Sequence, residues 1–125
     1  MLTGQINSEL EAVVRVWIGG PEGRSIEIEA TVDTGFSGSF SLPWKLVSEL
    51  GLLPQGRMLG TLADGTRNYY PLYRAIILWH GRPQLVYVSA VDSDPLLGMG
   101  MLHGSELAMQ VVVGGEVYIR EMQPS

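Results

Sequence analysis

The sequence contains no cysteine, only two histidines and few basic residues, and these shortages exclude several classes of function. Without cysteine, the 125-residue chain has no disulfide, no thiolate metal site and no cysteine nucleophile. His80 and His103 belong to no cluster with the spacing of metal ligands. A net charge of −5 lacks the basic footprint that a general nucleic-acid-binding protein needs. We therefore expect no metal, no cofactor and no nucleic-acid partner.

Long hydrophobic runs are also missing from the chain. The longest purely apolar run, Ala75 to Trp79, is far shorter than the roughly 20 residues that a membrane-spanning helix needs. Residues Met1 to Gln5 lack the basic region and the apolar core of a signal peptide. These features predict a soluble, cytoplasmic protein with no membrane partner. The length favours one domain, residues 1–125, which can bury enough surface to fold without a disulfide or metal.

The most informative stretch is a strand that ends in an acid and a glycine. Apolar and polar residues alternate from Ile26 to Val32, which is the two-residue period of a half-buried strand. Asp33-Thr34-Gly35 follows at once, and Gly35 allows a positive φ or a close approach of another backbone segment. On these three residues alone, an Asx turn that closes a hairpin is the simpler interpretation.

Alternation and turn signals divide the rest of the chain into short strands and two short helices. The predicted strands span residues 10–18, 26–32, 39–42, 57–63, 67–78, 85–91, 107–113 and 117–119, and the predicted helices span 43–52 and 98–103. Pro43 suits the first turn of the first helix, and Gly51 suits its C-terminal cap. The pattern predicts an all-β fold, a small closed barrel with two short helices.

A long hairpin is predicted after the first helix. Its turn, Ala63-Asp64-Gly65-Thr66, is of the Asp-Gly kind. Pro71 lies in the returning arm and cannot donate to a sheet ladder, which predicts an edge strand or a bulge there. A long hairpin with a disturbed base fits a flap over a cleft, and an ordinary surface hairpin is the alternative.

Two segments together resemble retroviral-type (retropepsin-like) aspartic proteases. The segment that ends in Asp33-Thr34-Gly35 resembles the active-site loop of that family, whose signature is two apolar residues and then Asp-Thr-Gly. The segment from Asp94 to Leu102 resembles the downstream apolar-apolar-Gly element that enters a short helix behind the catalytic loop. The hairpin lies between these segments, in the place of the family's flap. The resemblance implies a closed barrel of the acid-protease type with a flap hairpin.

The resemblance also implies roles for the matching residues. Asp33 would be the catalytic acid, Thr34 would hydrogen-bond across a dimer axis, and Gly35 would let the backbone approach bound peptide. The residues implied in the flap and in the support of the loop are Ala63, Asp64, Gly65, Leu97 and Gly98. The first three would cover and bind the substrate, and the last two would lie beneath the catalytic loop.

The chemistry of that family needs two carboxylates that share one proton, so that one activates a water while the other polarises the scissile carbonyl. A single Asp-Thr-Gly supplies half of this pair. The resemblance therefore implies a symmetric homodimer with Asp33 from each copy, acting on a peptide or protein substrate. A non-catalytic dimeric module of the same fold, binding peptides or partners, is the alternative. The sequence departs from the family where alanine is usual, at Phe36, and where an acid or amide is common, at Gly100.

Two weaker patterns point to other chemistry. A serine hydrolase that uses Ser37 and His103 is disfavoured, because the segment from Gly35 to Ser39 misses the Gly-x-Ser-x-Gly motif at its last residue. Asp92 and Asp94 precede Pro95, and this arrangement is better explained by turn initiation than by a metal site.

Overall fold

The computed structural model describes residues 1–123, which form a mixed ten-stranded sheet and two short helices. The elements are β1 (Leu2–Ile6), β2 (Ala12–Gly19), β3 (Ser25–Val32), β4 (Phe40–Leu42), α1 (Trp44–Glu49), β5 (Leu53–Thr61), β6 (Arg67–Trp79), β7 (Arg82–Ala90), β8 (Leu96–Leu97), α2 (Met99–Leu102), β9 (Ser105–Met109) and β10 (Glu116–Glu121). The all-β class with two short helices is confirmed. Within residues 1–123, neither helix has the length and apolar character needed to cross a membrane.

The sheet runs in the order β5-β6-β7-β4-β8-β3-β2-β1-β10-β9. The end of β2 also pairs with β6, where Ile18 lies opposite Ile77, so the sheet partly closes on itself. This closure is consistent with the predicted barrel. β7 lies between β6 and β4 and is therefore an interior strand.

Alternate residues of the strands form the core. On β2, Val14, Val16 and Ile18 are buried, whereas Arg15 and Trp17 between them are exposed. This alternation follows from the pleat, which points successive side chains to opposite faces of the sheet. The fully buried residues on the other strands include Ala30, Leu42, Ile77, Val88, Leu97, Val117 and Ile119.

Two strand predictions at the chain ends need correction. The structure adds β1, which is short and shows no clear alternation, but pairs with β2 on one side and β10 on the other. The predicted strand 107–113 is wrong in its second half, because β9 ends at Met109. Val111–Val113 lie in a turn instead, closed by hydrogen bonds between Gln110 and Glu116 and between Gly115 and Val112. A run of valines therefore mimics a strand where the chain turns.

The long hairpin formed by β5 and β6 extends beyond the rest of the sheet. Residues 72–79 of β6 pair with β7, whereas residues 67–71 pair with β5 alone. Pro71 pairs only with Arg57 on β5, so the other edge of β6 is free there, as predicted, and pairing with β7 begins at the next residue. The predicted irregularity occurs on the facing strand, where the register shifts between Pro54 and Arg57. The distal part of the hairpin thus projects as a two-stranded ribbon.

Candidate active site

Asp33 lies at the end of β3 and is held by the backbone around it. Its N–H donates to the Leu97 carbonyl at 2.8 Å, and its own carbonyl accepts from the Phe36 N–H at 3.1 Å. Its carboxylate oxygen Oδ1 accepts from the Gly35 N–H at 2.9 Å, which is an Asx turn. The Asp33 side chain is half-buried, while Thr34 and Gly35 are exposed. The loop therefore holds a carboxylate at the surface in a defined orientation.

β8 lies between β3 and β4 and joins the strands on either side of the loop. Val32 pairs with Leu97 in a parallel arrangement, and Phe40 pairs with Leu97 in an antiparallel one. Leu97 is fully buried. The structure thus places Leu97 directly beside the strand end that carries Asp33.

Gly98 allows residues 36–39, which follow Asp33-Thr34-Gly35, to lie against the start of α2. Its N–H donates to the Ser39 carbonyl at 2.9 Å, and the Met99 N–H donates to the Phe36 carbonyl at 2.7 Å. A Cβ on Gly98 would lie 2.6 Å from the Phe36 carbonyl oxygen and nearer still to the Gly38 carbonyl oxygen. Both obstacles are backbone atoms, so only glycine fits here.

Gly38 and Gly100 also shape this region, although the sequence analysis did not assign them to the site. A Cβ on Gly38 would lie 2.6 Å from the Phe36 ring, and a Cβ on Gly100 would lie 2.9 Å from the Ser37 carbonyl oxygen. The Phe36 ring therefore folds back over Gly38 and Gly98. The glycine pair at 98 and 100, facing the glycine at 38, is the signal that could have predicted this close approach.

The tip of the hairpin adopts the predicted Asp-Gly turn. The Leu62 N–H donates to the Thr66 carbonyl at 2.7 Å, and Gly65 has a φ of +87°. Asp64 Oδ1 accepts from the Thr66 N–H at 2.8 Å, and hydrogen bonds from Thr66 lower the pKa of Asp64. Ala63, Asp64 and Gly65 are all exposed. The turn is confirmed as a local structure, and its role as a flap stays a prediction.

The two histidines line the same polar cleft, of about 320 Å³, which Ser39 after the Asp33 loop also lines. His80 Nε2 lies 2.8 Å from Ser105 Oγ, and the His80 ring lies 5.0 Å from the Trp79 ring. His80 has a φ of +51°, a left-handed conformation that histidine adopts more readily than most residues. This side chain therefore ties the β6–β7 turn to the start of β9. Within residues 1–123, no three His, Asp or Glu side chains are grouped so that they could hold a metal ion.

We expect the stability of the protein to depend on pH through His80. Burial lowers the pKa of His80, with smaller opposing and reinforcing effects from Glu121 and Arg82. The unfolded chain then binds more protons than the folded one, so stability is lost as the pH falls below about 6.5. We expect the thermal unfolding midpoint to fall between pH 7.5 and pH 5 in the wild type, and to fall less in His80→Asn. Asparagine tolerates the left-handed backbone but cannot titrate here. An equal fall in both proteins would contradict this role for His80.

The chain was compared with known proteins. No protein-family model matches it, and no curated protein matches it. Among solved structures, it is similar to the chain in the crystal structure of a retropepsin-like aspartic protease from Rickettsia conorii. The TM-score is 0.58 and the sequence identity is 13%, over 97% of this chain and 91% of that chain. At this identity the similarity shows the fold alone, and it confirms the predicted fold.

Proposed function

We propose that this chain is an aspartic endopeptidase of retroviral type that acts as a homodimer. The observation that carries the proposal is the position of Asp33 in this fold. Asp33 lies at the end of β3, where its backbone N–H donates to the Leu97 carbonyl and its carboxylate accepts from the Gly35 N–H. The Asp-Thr-Gly signature thus stands at a strand end that pairs with Leu97, next to Gly98, whose N–H donates to the Ser39 carbonyl.

Catalysis needs Asp33 from a second copy, because one chain supplies one such carboxylate. Two adjacent carboxylates would hold a single proton between them. The ionised one takes a proton from a water, whose oxygen attacks the carbonyl carbon of the scissile peptide bond. The protonated one donates to the carbonyl oxygen. The resulting tetrahedral species collapses, the C–N bond breaks, and the amine leaves with a proton.

The clefts of the single chain support a site that a second copy completes. A cleft of about 630 Å³ lies over β1, β2 and β10, and the Asp33 loop is not among its lining residues. Thr34 and Gly35 are instead exposed at the surface. A partner related by a twofold axis would cover this loop and place Thr34 against its counterpart.

The alternative function is a non-catalytic dimeric module of the same fold that binds peptides or partners. One observation is compatible with both functions. Asp33 Oδ1 accepts the Gly35 N–H, which is the hydrogen bond that a purely structural turn aspartate would also make. The turn alone therefore does not separate the two functions, and a measurement of cleavage does.

Cleavage of a peptide library from pH 3.5 to pH 7, with and without pepstatin, tests the proposal. We expect pepstatin-sensitive cleavage whose rate per molecule rises with protein concentration, because the dimer is the active form. Cleavage that pepstatin does not affect would place the chemistry elsewhere. A stable dimer that cleaves nothing would favour the binding module.

We expect Gly65→Val to reduce cleavage several-fold with little change in thermal stability. Gly65 has a φ of +87°, which a β-branched residue resists, and the turn is exposed. The distorted turn would then cover the cleft less well. Peptide cleavage and thermal unfolding, measured side by side, check this expectation. A loss of stability as large as that of a core substitution would show that the hairpin is structural instead.

A further inference from the structure

Two neighbouring turns at one end of the sheet expose apolar side chains. We call Leu10 and Val111–Val113 the apolar tip. Leu10 is 60% exposed, and the three valines are 60–64% exposed. The turns meet at Ile6, whose N–H and carbonyl both bond to the Gly114–Gly115 backbone at 2.8–2.9 Å. Exposed apolar residues grouped in this way mark contact surfaces in soluble proteins.

The first turn of the apolar tip is held in a fixed shape. Leu10 has a φ of +61°, a left-handed conformation that is unfavourable for leucine. Asn7 Oδ1 accepts from the N–H groups of Glu9 and Glu11 at 3.0 and 2.9 Å, which stabilises the turn. The structure therefore keeps a leucine side chain in solvent on a strained backbone.

The second turn is fixed as well. The Gly115 N–H donates to the Val112 carbonyl at 2.8 Å, and the Gln110 N–H donates to the Glu116 carbonyl at 2.9 Å. A Cβ on Gly115 would collide with the Gln110 carbonyl oxygen, so glycine is required to close the turn. The three valines are thus displayed by a closed turn rather than by a slack loop.

The apolar tip lies at the same end of the sheet as Asp33. Val13 on β2 pairs with Thr31 on β3, so the turn that precedes β2 lies beside the loop that follows β3. β10 is three strands from β3, which is roughly 14 Å at ~4.8 Å per strand. A twofold axis between two Asp33 loops therefore passes close to both apolar tips.

A second apolar surface lies on the outer face of β2, β6 and β7, but its position is different. It consists of Trp17, Ile76, Leu78, Leu85 and Tyr87, which are 39–58% exposed. Ile76 pairs with Gly19, and Gly19 pairs with Ser25, seven residues before Val32. At ~3.3 Å per residue, Ser25 is roughly 23 Å from Val32 along β3, so the outer face is about as far from Asp33. A partner centred on this face would leave the two Asp33 carboxylates far apart.

The two edge strands of the sheet also favour the apolar tip, rather than the outer face, as the contact surface. The edge strand β5 carries Pro54, a register shift and Arg57, features that discourage pairing with another chain. The other edge strand, β9, contains no proline, its register with β10 is regular, and its one charged residue, Glu106, is paired with Arg120 of β10. β9 leads directly into the valines of the apolar tip. The unprotected edge and the exposed valines are therefore continuous.

We propose that a second copy of this chain packs on the apolar tip and the adjoining edge of β9. This inference rests on the proposed function, since the half-site at Asp33 requires a second copy. The contact would be isologous, with the same surface used by both copies. A stable interface typically buries ~800 Å² of surface on each partner, and the four side chains of the apolar tip cover less than this. The edge of β9 and the Asp33 loop would therefore contribute the remaining buried surface.

Sedimentation from nanomolar to micromolar concentration tests the inference with a matched pair of variants. Val112→Asp places a charge in the proposed contact, and Leu85→Asp places the same charge on the outer face at a residue that is 58% exposed. We expect Val112→Asp to raise the dimer dissociation constant at least about 100-fold, because the interface would bury an unpaired charge. We expect Leu85→Asp to leave it unchanged within about threefold.

Leu10→Asn supplies a second test, with a readout that does not depend on burying a charge. Asparagine adopts the left-handed backbone more easily than leucine. We therefore expect this variant to raise the thermal unfolding midpoint of the monomer while it weakens the dimer about tenfold, in line with the loss of one buried apolar side chain. Circular dichroism of each variant verifies that the fold is retained.

The outcomes separate this inference from the proposed function. A dimer that survives Val112→Asp and Leu10→Asn would overturn the apolar tip as the interface and leave the protease proposal standing. A dimer broken by Leu85→Asp alone would move the interface to the outer face. A wild-type protein that stays monomeric throughout and shows no pepstatin-sensitive cleavage would overturn both.

Discussion

Asp33→Asn is expected to reduce peptide cleavage by roughly 10²- to 10⁴-fold, the range typical for loss of a general acid or base. Asparagine has nearly the same size and shape, but its amide cannot take a proton from water at any accessible pH. Its side-chain oxygen can still accept the Gly35 N–H, which lies 2.9 Å from Oδ1 in the wild type. The fold and the dimer should therefore survive. Library cleavage from acid to neutral pH, together with sedimentation, measures both effects.

Asp94→Asn is the matched control for this variant. Asp94 is an exposed aspartate in the turn before Pro95, and the proposed mechanism does not use it. We expect cleavage by Asp94→Asn to equal that of the wild type. If Asp33→Asn retains wild-type cleavage, Asp33 is a turn former and the chemistry lies elsewhere. If neither the wild type nor the variants cleave, the binding module becomes the better proposal.

Local patterns were sufficient to predict much of the fold. The two-residue alternation on β2 and β3 identified the buried face, because the pleat alone decides which side chains point inward. The Asp-Gly turn at residues 64–65 was also predictable, since its positive φ favours glycine. These features depend on neighbours in sequence, so they leave a signal within a few residues.

Features that depend on contacts between segments far apart in the chain left little signal in the local sequence. β8 has only two residues, too few to show a period, yet it pairs with both β3 and β4 and positions Asp33. Val111–Val113 have a high strand propensity, but the turn closed by Gly115 overrides it. His80 and His103 line one cleft only because the fold brings the β6–β7 turn and the end of α2 to the same place. Pairing between distant segments cannot be read from local propensity.

The close packing at Gly98 should make it one of the least replaceable residues in the chain. Gly98→Ala is expected to lower the free energy of unfolding by about 3 kcal/mol, the upper part of the usual range for overpacking. The added Cβ would lie 2.6 Å from the Phe36 carbonyl oxygen, and this backbone is fixed by the Met99 N–H at 2.7 Å. Relief would break that hydrogen bond and displace the loop behind Asp33. Cleavage should therefore fall together with stability, as urea unfolding and peptide assays can show.

Two comparisons separate the backbone clash from simple loss of packing. Met99→Ala changes the neighbouring side chain, which is 49% exposed, and should cost under about 1 kcal/mol. Phe36→Ala should partly rescue Gly38→Ala, because a Cβ on Gly38 meets only the Phe36 ring, but it should not rescue Gly98→Ala. Rescue of Gly98→Ala by Phe36→Ala would show that the ring, and not the backbone, limits this position. The Asp33 loop would then be supported by side-chain packing that other residues could replace.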